Sequence, residues 1–276
     1  MYLSDVIKGF PGELIRDAQF ETLEYCTSAL ETPFLTFMEN PKFIEKISKF
    51  AVCILCKKEL LEKLPNGIKG IFVTENPKEL FHTVHNMLSE QEGYRLATFD
   101  RKIGNNCQIS PQATIAQHNV VIGDRVVIED NVIINDNVTI GNDCIIHSGV
   151  VIGGKAFVFA RASQKKILGL KDVGRVVLKD RVEIFPMTHI AKGILPTDVT
   201  FLDDDVKIDA HGYIAHGVKI GKRTLIAAGV LIGGNTVIGE DSWVGINATI
   251  SNRIRIGNNA RVSLGSVVTK NVEENE

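Results

Sequence analysis

From Leu202 onward an aliphatic side chain falls on every sixth residue: Leu202, Ile208, Ile214, Ile220, Ile226, Ile232, Ile238, Val244, Ile250, Ile256, Val262 and Val268. Two positions before each successive aliphatic stands a mostly small or β-branched residue, among them Val206, Gly212, Val218, Thr224, Val230, Thr236, Ser242, Ala248 and Ala260. A period of six fits neither an amphipathic helix at 3.6 residues per turn nor a simple alternating strand. Self-similarity at a fixed short period marks a solenoid. The pattern predicts a parallel β-helix of triangular section, in which each hexad makes one wall and a turn. Three hexads close a coil of eighteen residues, and coils stack at the inter-strand spacing of about 4.8 Å.

The same period runs earlier through Ile109 and Ile115. After one additional residue near 117–120 it continues through Ile122, Ile128, Ile134, Ile140, Ile146 and Ile152. It fails after Gly153-Gly154. Residues 155–174 carry Phe157, Phe159 and several lysines but no hexads, and read as a long loop thrown out of the coil. Long irregular segments of this kind are often functional. Hexads resume at Leu178, Ile184 and Ile190, and a second irregular stretch covers 192–200 with Pro196. Residues 270–276 read as a frayed polar tail.

Residues 1–100 show no six-residue period and read as a small α/β domain; the β-helix domain is expected over 101–269. Ala51 to Cys56 and Gly70 to Val73 read as buried strands, and Pro41 to Ile47 as a short helix. Asn76-Pro77 predicts a helix start, with Asn76 as the cap and Pro77 in the first turn. Leu80, Phe81, Val84, Met87 and Leu88 then recur on one helical face.

Composition adds exclusions. The 276 residues are 44% hydrophobic and 23% charged, with a formal net charge of −2. No basic block stands out, which argues against nucleic acid as the main partner. The N-terminus has no basic region followed by an apolar core, so no signal peptide is expected, and no apolar run is long enough for a membrane span. Five scattered cysteines, Cys26, Cys53, Cys56, Cys107 and Cys144, fit a reducing cytoplasm. Cys53-Ile54-Leu55-Cys56 has the spacing of a redox or zinc pair, but it lies in an apolar strand where residues three apart face opposite ways. A packed-core role is favoured.

A solenoid wall is a poor cleft, so a site is expected where subunits meet or under a loop. Three flat walls suit side-by-side packing into a symmetric homotrimer. Of the histidines, His216 lies inside the unbroken run, in Ile214-Ala215-His216-Gly217-Val218. Spacing alone leaves it balanced between a solvated wall residue and a site residue. The eighteen-residue coil places Gly234 over His216, where a glycine lets a ligand approach its backbone N–H. An imidazole beside a bare N–H suits acyl transfer: one takes a proton, the other holds an oxyanion.

Ile-Ala-His-Gly at 214–217, followed by Val218-Lys219-Ile220-Gly221, resembles the catalytic segment of the UDP-3-O-acylglucosamine N-acyltransferases of lipid A synthesis. Val173 to Val177, Cys144 to Gly149 and Asp205 to Asp209 are also similar to that family, and the resemblance covers nearly the whole chain. Leu35-Thr36-Phe37-Met38-Glu39-Asn40-Pro41-Lys42-Phe43 is similar to the family's nucleobase-binding motif. The resemblance implies that Phe37 and Phe43 sandwich a base and that Asn40 bonds it; the alternative is small-domain core. It also implies His216 as general base, the Gly234 N–H as oxyanion donor, and a left-handed β-helix trimer with sites at subunit interfaces. Arg253 stands where the family often has a second histidine, and is assigned to substrate phosphate. Ala191-Lys192-Gly193 replaces the family's Asp-Arg-Gly.

The family's C-terminal helical extension has no counterpart after Thr269, so acyl-CoA is favoured over acyl carrier protein as donor. The expected function is cytoplasmic transfer of an acyl group to the amine of a UDP- or dTDP-linked amino sugar for surface polysaccharide or lipopolysaccharide. The genuine lipid A N-acyltransferase is the alternative. No metal is expected. Two rivals of other classes are a non-catalytic sugar-nucleotide-binding trimer and a β-helix metalloenzyme using His189, His211 and His216.

Overall fold

The computed structural model describes residues 1–163 and 165–276 with their side chains, and the period is realised in it as three parallel sheets of eight strands each. One wall runs from Lys102–Ile103 to Arg255–Ile256, the second from Gln108–Ile109 to Arg261–Val262, and the third from Thr114–Ile115 to Val267–Val268. In the third wall Ile214 pairs with Ile232, and Ile232 with Ile250, so register advances by one eighteen-residue coil. The architecture is a left-handed parallel β-helix, opposite in hand to the usual crossover.

The inward aliphatics explain why the coils stack. From Ile122 to Val262 none of the hexad aliphatics is more than 4% exposed. Each contributes roughly 1.5–3 kcal/mol by burial. The hydroxyl residues Thr224, Thr236 and Ser242 beside them are buried too, and each finds a carbonyl. Thr224 Oγ1 donates to Gly239 O at 2.7 Å, Thr236 Oγ1 to Ser251 O at 2.9 Å, and Ser242 Oγ to Gly257 O at 2.9 Å.

Corners have their own rule. From Ile122 onward, a residue in the left-handed region follows three positions after the aliphatic in nearly every hexad. Asn131, Asn137, Asn235 and Asn247 are examples, with φ between 55° and 61°. Asparagine tolerates this conformation better than most L-residues. One corner instead alternates arginine with aspartate. Arg125 Nε donates to Asp143 at 2.6 Å, Arg181 Nε to Asp205 at 2.8 Å and Arg223 Nε to Asp241 at 2.6 Å.

The chain divides into two compact units. The second is the β-helix: 96–156, 172–194 and 198–276. The first holds 1–95 together with 157–171 and 195–197, so both stretches where the hexads fail send chain into it. Its sheet has the order β1 (Glu13–Arg16), β5 (Gly70–Val73), β4 (Ala51–Cys56), β3 (Phe34–Met38), β2 (Thr22–Leu23). Only the β1–β5 pair is antiparallel. Helices α1 (Leu3–Val6) and α2 (Pro77–Leu88) complete it.

Several expectations are corrected. Pro77 opens α2, but the Asn76 side chain makes no capping bond, and Met87 is exposed while Leu80, Phe81, Val84 and Leu88 are buried. The short helix after Asn40 is a 3₁₀ helix, Pro41–Lys46. The segment read as a long loop contains a hairpin, Phe159–Arg161 against Ile167–Gly169. Helix α2 holds this excursion: Asn86 Nδ2 donates to Gly169 O at 2.8 Å, and Ser163 N donates to Glu79 at 2.8 Å. The tail expected to fray instead continues the coil. Val272 bridges Ile256, and Arg261 N donates to Glu276 O at 2.7 Å. That pairing occupies strand edges that would otherwise be open.

Candidate functional site

His216 lies in the corner after the strand Tyr213–Ile214, with 17% of its side chain exposed. Coil stacking puts Gly234 against its ring: a Cβ built on Gly234 would stand 2.5 Å from His216 Nε2. The Gly234 N–H is left out of the coil-to-coil ladder. Its neighbours Gly233 and Asn235 donate to Ile250 O at 2.8 Å and His216 O at 2.9 Å. The residue that abuts Nε2 thus keeps its N–H outside the ladder. The other ring nitrogen, Nδ1, is buried without a hydrogen-bond partner. Asp198 Oδ2 faces it at 3.7 Å, beyond hydrogen-bond reach but within ion-pair range. Asp198 is fixed by Ile194 N, which donates to Oδ2 at 3.0 Å.

Asp198 was not singled out from the sequence. It lies in the irregular 192–200 stretch, where no period assigns a residue a neighbour. Its backbone is tied in place by Arg175, whose N–H donates to Asp198 O at 3.0 Å. The same region holds Lys192, which is buried and paired with Asp136. Arg253 is a left-handed corner residue with φ of 60°, and its N–H donates to Gly234 O at 2.9 Å. The stacking thus brings the Arg253 backbone onto the glycine of the site.

Unpaired buried atoms mark this neighbourhood. Among the described residues, the β-helix unit has four buried side-chain polar atoms with no partner: Asp172 Oδ1, Arg175 Nε, His189 Nε2 and His216 Nδ1. All belong to residues 172–216. The His189 ring stacks on Tyr213, with centroids 5.3 Å apart and planes 12° from parallel. It packs so closely on Gly154 that no side chain would fit there. Burial lowers the pKa of His189. Burial also raises that of Asp172, against the opposing pull of Lys192, Lys155 and His216.

In the first unit, Phe37 is on β3 and its ring contacts Phe81 at a centroid distance of 5.0 Å and Tyr25 at 6.3 Å. Phe43 is on the 3₁₀ helix, half-buried against the unit's core, with Lys42 Nζ 5.2 Å from its ring centroid. Asn40 is exposed, and its Oδ1 accepts from Lys42 N at 3.1 Å, capping that helix. The cap uses the carbonyl oxygen; the amide nitrogen carries the hydrogens a base carbonyl would accept.

Other sequence candidates go elsewhere. Cys53 and Cys56 are buried in β4, and burial pushes their thiols up to about 12 and about 11, far from thiolate reactivity. His82 and His85 are buried. The Lys171 carbonyl can only accept, so His85 donates from Nε2 at 2.8 Å and accepts at Nδ1 from the Tyr94 hydroxyl at 2.9 Å. Among the described residues no group of three His, Cys, Asp or Glu is placed to hold a metal, and no helix is long and apolar enough to cross a membrane.

The sequence pattern of the family described as "Bacterial transferase hexapeptide (six repeats)" matches residues 119–154 and 235–270. A UDP-3-O-acylglucosamine N-acyltransferase of Coxiella burnetii (strain Dugway 5J108-111) is 35% identical over 215 residues, which cover 68% of this chain and 60% of the relative. The chain thus spans less than two thirds of that relative's length. One from Lawsonia intracellularis is 39% identical over 69 residues, 25% of this chain and 19% of the relative. Among solved structures, the Arabidopsis UDP-N-acetylglucosamine acyltransferase is similar in fold. Its TM-score is 0.52 at 20% identity, over 63% of this chain and 65% of that one.

Proposed function

The chain belongs to the hexapeptide-repeat transferases related to UDP-3-O-acylglucosamine N-acyltransferases, and on that premise we propose that it transfers an acyl group from a thioester to the amine of a nucleotide-linked amino sugar. The observation that carries this reading is the His216–Gly234 pair: a ring nitrogen against a glycine whose N–H stays outside the ladder, with Asp198 facing the second ring nitrogen. The amine attacks the thioester carbonyl as His216 Nε2 takes its proton. The Gly234 N–H donates to the tetrahedral oxyanion, which stabilises charge that exists only along the reaction path. Collapse breaks the C–S bond, and His216 returns the proton to the departing sulfur. Asp198 holds the imidazolium that forms in between, as a carboxylate facing the second ring nitrogen does.

Phe37, Asn40 and Phe43 are assigned to the nucleobase, and Arg253 to substrate phosphate, for which a guanidinium fork is suited. The acceptor is a UDP- or dTDP-linked amino sugar of lipopolysaccharide or another surface polysaccharide. The relatives' names favour the UDP-3-O-acylglucosamine acceptor of lipid A as the second reading. Acyl-CoA is the donor of the first reading and acyl carrier protein that of the second. A homotrimer is supported by an apolar strip around one corner of the β-helix, where Trp243 is 45% and Leu264 77% exposed beside Leu225, Leu231, Ile246 and Val267. Large exposed apolar patches mark association surfaces.

A thiol-release screen tests the reading. It crosses short and long acyl-CoAs, and acyl carrier protein, with UDP- and dTDP-amino sugars. Release is expected for at least one pair, and its complete absence favours a non-catalytic sugar-nucleotide-binding protein. With the active pair, His216→Ala should bind the nucleotide sugar normally and lose about 10²- to 10⁴-fold in turnover. Near-normal turnover would sink the assignment of the base.

A further inference from the structure

The proposed acyl-transfer step uses His216, Gly234 and Asp198 and leaves three of the unpaired buried atoms without a role: Asp172 Oδ1, Arg175 Nε and His189 Nε2. They are not scattered. Asp172 is fixed by Ala156, whose N–H donates to its other oxygen, Oδ2, at 3.1 Å. Two residues before Ala156 is Gly154, on which the His189 ring packs. The Gly154 carbonyl accepts from Lys192 N at 3.1 Å, and Arg175 N donates to the carbonyl of Asp198, the residue facing His216. Asp172 lies within electrostatic range of His216 and of Tyr213, the ring stacked on His189. Asp172, His189 and the proposed base therefore share one neighbourhood, and the Arg175 backbone borders it through Asp198.

Buried polar groups without partners are costly, and native proteins tolerate them chiefly where a ligand or ordered water completes the set. The chemistry of the set restricts the ligand. Asp172 Oδ1 only accepts when ionised, Arg175 Nε only donates, and His189 Nε2 does either according to its tautomer. A phosphate or carboxylate is a poor match, because the Asp172 carboxylate repels it. A pyranose with neighbouring hydroxyls supplies a donor and an acceptor on adjacent carbons, both uncharged. The glycine at 154 and the Tyr213 stack hold the imidazole plane fixed, which suits reading of a rigid ring.

We infer that Asp172, Arg175 and His189 form a hydroxyl-reading subsite beside His216, in which Asp172 Oδ1 accepts a hydrogen bond from a ring hydroxyl of the acceptor sugar. The inference rests on the proposed sugar acceptor and deepens it: substrate choice among amino sugars is made here, by hydroxyl position. A site built to bond a hydroxyl rejects the analogue that lacks it, because its own buried groups are then stranded.

The test is equilibrium binding by calorimetry, on the full chain, of UDP-glucosamine and its 3-, 4- and 6-deoxy forms. The wild type and Asp172→Asn are compared, and Asp172→Ala serves as a second variant. One deoxy form should bind the wild type about ten- to a hundredfold more weakly than UDP-glucosamine. Both variants should lose that discrimination by weakening the parent and the two deoxy forms that keep the hydroxyl, while binding of the form that lacks it is unchanged. Unchanged discrimination in the variants overturns the role of Asp172 and leaves the acyltransfer reading intact. Equal weakening of all four ligands makes Asp172 a structural residue and likewise overturns it. A wild type that binds none of the four sinks the UDP-sugar premise together with the subsite.

Discussion

Between Gly217 and Val268 none of the described buried side-chain polar atoms lacks a partner, whereas between Gly154 and His216 four do. In the regular coils a buried Thr224, Thr236 or Ser242 has a carbonyl of the adjoining coil within 2.9 Å. In the interrupted stretch Asp172, Arg175 and His189, and in the first regular coil after it His216, each keep a buried atom without a partner. The difference follows from repetition. An eighteen-residue coil offers every hydroxyl the same carbonyl, so one solution serves all coils. Where chain is diverted, at 157–171 and 195–197, Ile140 pairs with Leu178 and Leu178 with Leu202. The wall closes over the gaps, but the ends of the diverted segments bring in side chains, Asp172, Arg175 and Asp198, that no repeat rule satisfies. Regularity stacks Gly234 on His216, and the interruption brings Asp198 to face it.

Three substitutions sharpen this contrast. The largest effect is expected at Gly234, a regular coil position with an irregular duty. The matching position in neighbouring hexads carries Ala228, Glu240 or Ile246, so the corner accepts a side chain. In Gly234→Ala the new Cβ would press on His216 Nε2. Turnover in the thiol-release assay should fall by about 10²- to 10³-fold while the melting temperature barely moves. A stability loss without a rate loss would return Gly234 to the scaffold.

Ile232→Ala acts the other way. Ile232 is fully buried in the unbroken run, and truncation there should cost about 2–5 kcal/mol in denaturant unfolding. The kcat of the protein that remains folded should be nearly unchanged. A selective loss of kcat would show that the regular coils tune the site as well as carry it. The smallest effect is expected at the charged corner. Arg223 is half-exposed and paired with Asp241, and exposed pairs contribute little. Arg223→Ala should leave both the unfolding midpoint and turnover within error of the parent, and a clear drop in the midpoint would make the arginine–aspartate corner a stabilising network.

Much of the architecture was legible because each hexad aliphatic has one place to go. A strict six-residue spacing from Leu202 to Val268 fixes the coil length, and the coil length alone put Gly234 over His216. The corners were less legible. Met187, His211 and Arg253 take the left-handed conformation that residue preference reserves for asparagine or glycine, because the repeat imposes it whatever the side chain. The helix at Pro77 was readable from its proline, but the absence of an Asn76 capping bond was not, since that bond depends on a side-chain rotamer.

By itself, then, the sequence determined the solenoid, its coil, the small α/β unit and the stacked histidine and glycine. All but the α/β unit, which was read from local strand and helix signals, are consequences of short-range periodicity. The tertiary structure alone decided which side chains join them. Asp198 meets His216, Asp172 meets Ala156, and His189 lies on Gly154, because two diverted segments leave the solenoid and return to it. Contacts set by where a diverted chain re-enters the coil depend on the whole path of the excursion, and no local spacing encodes that path.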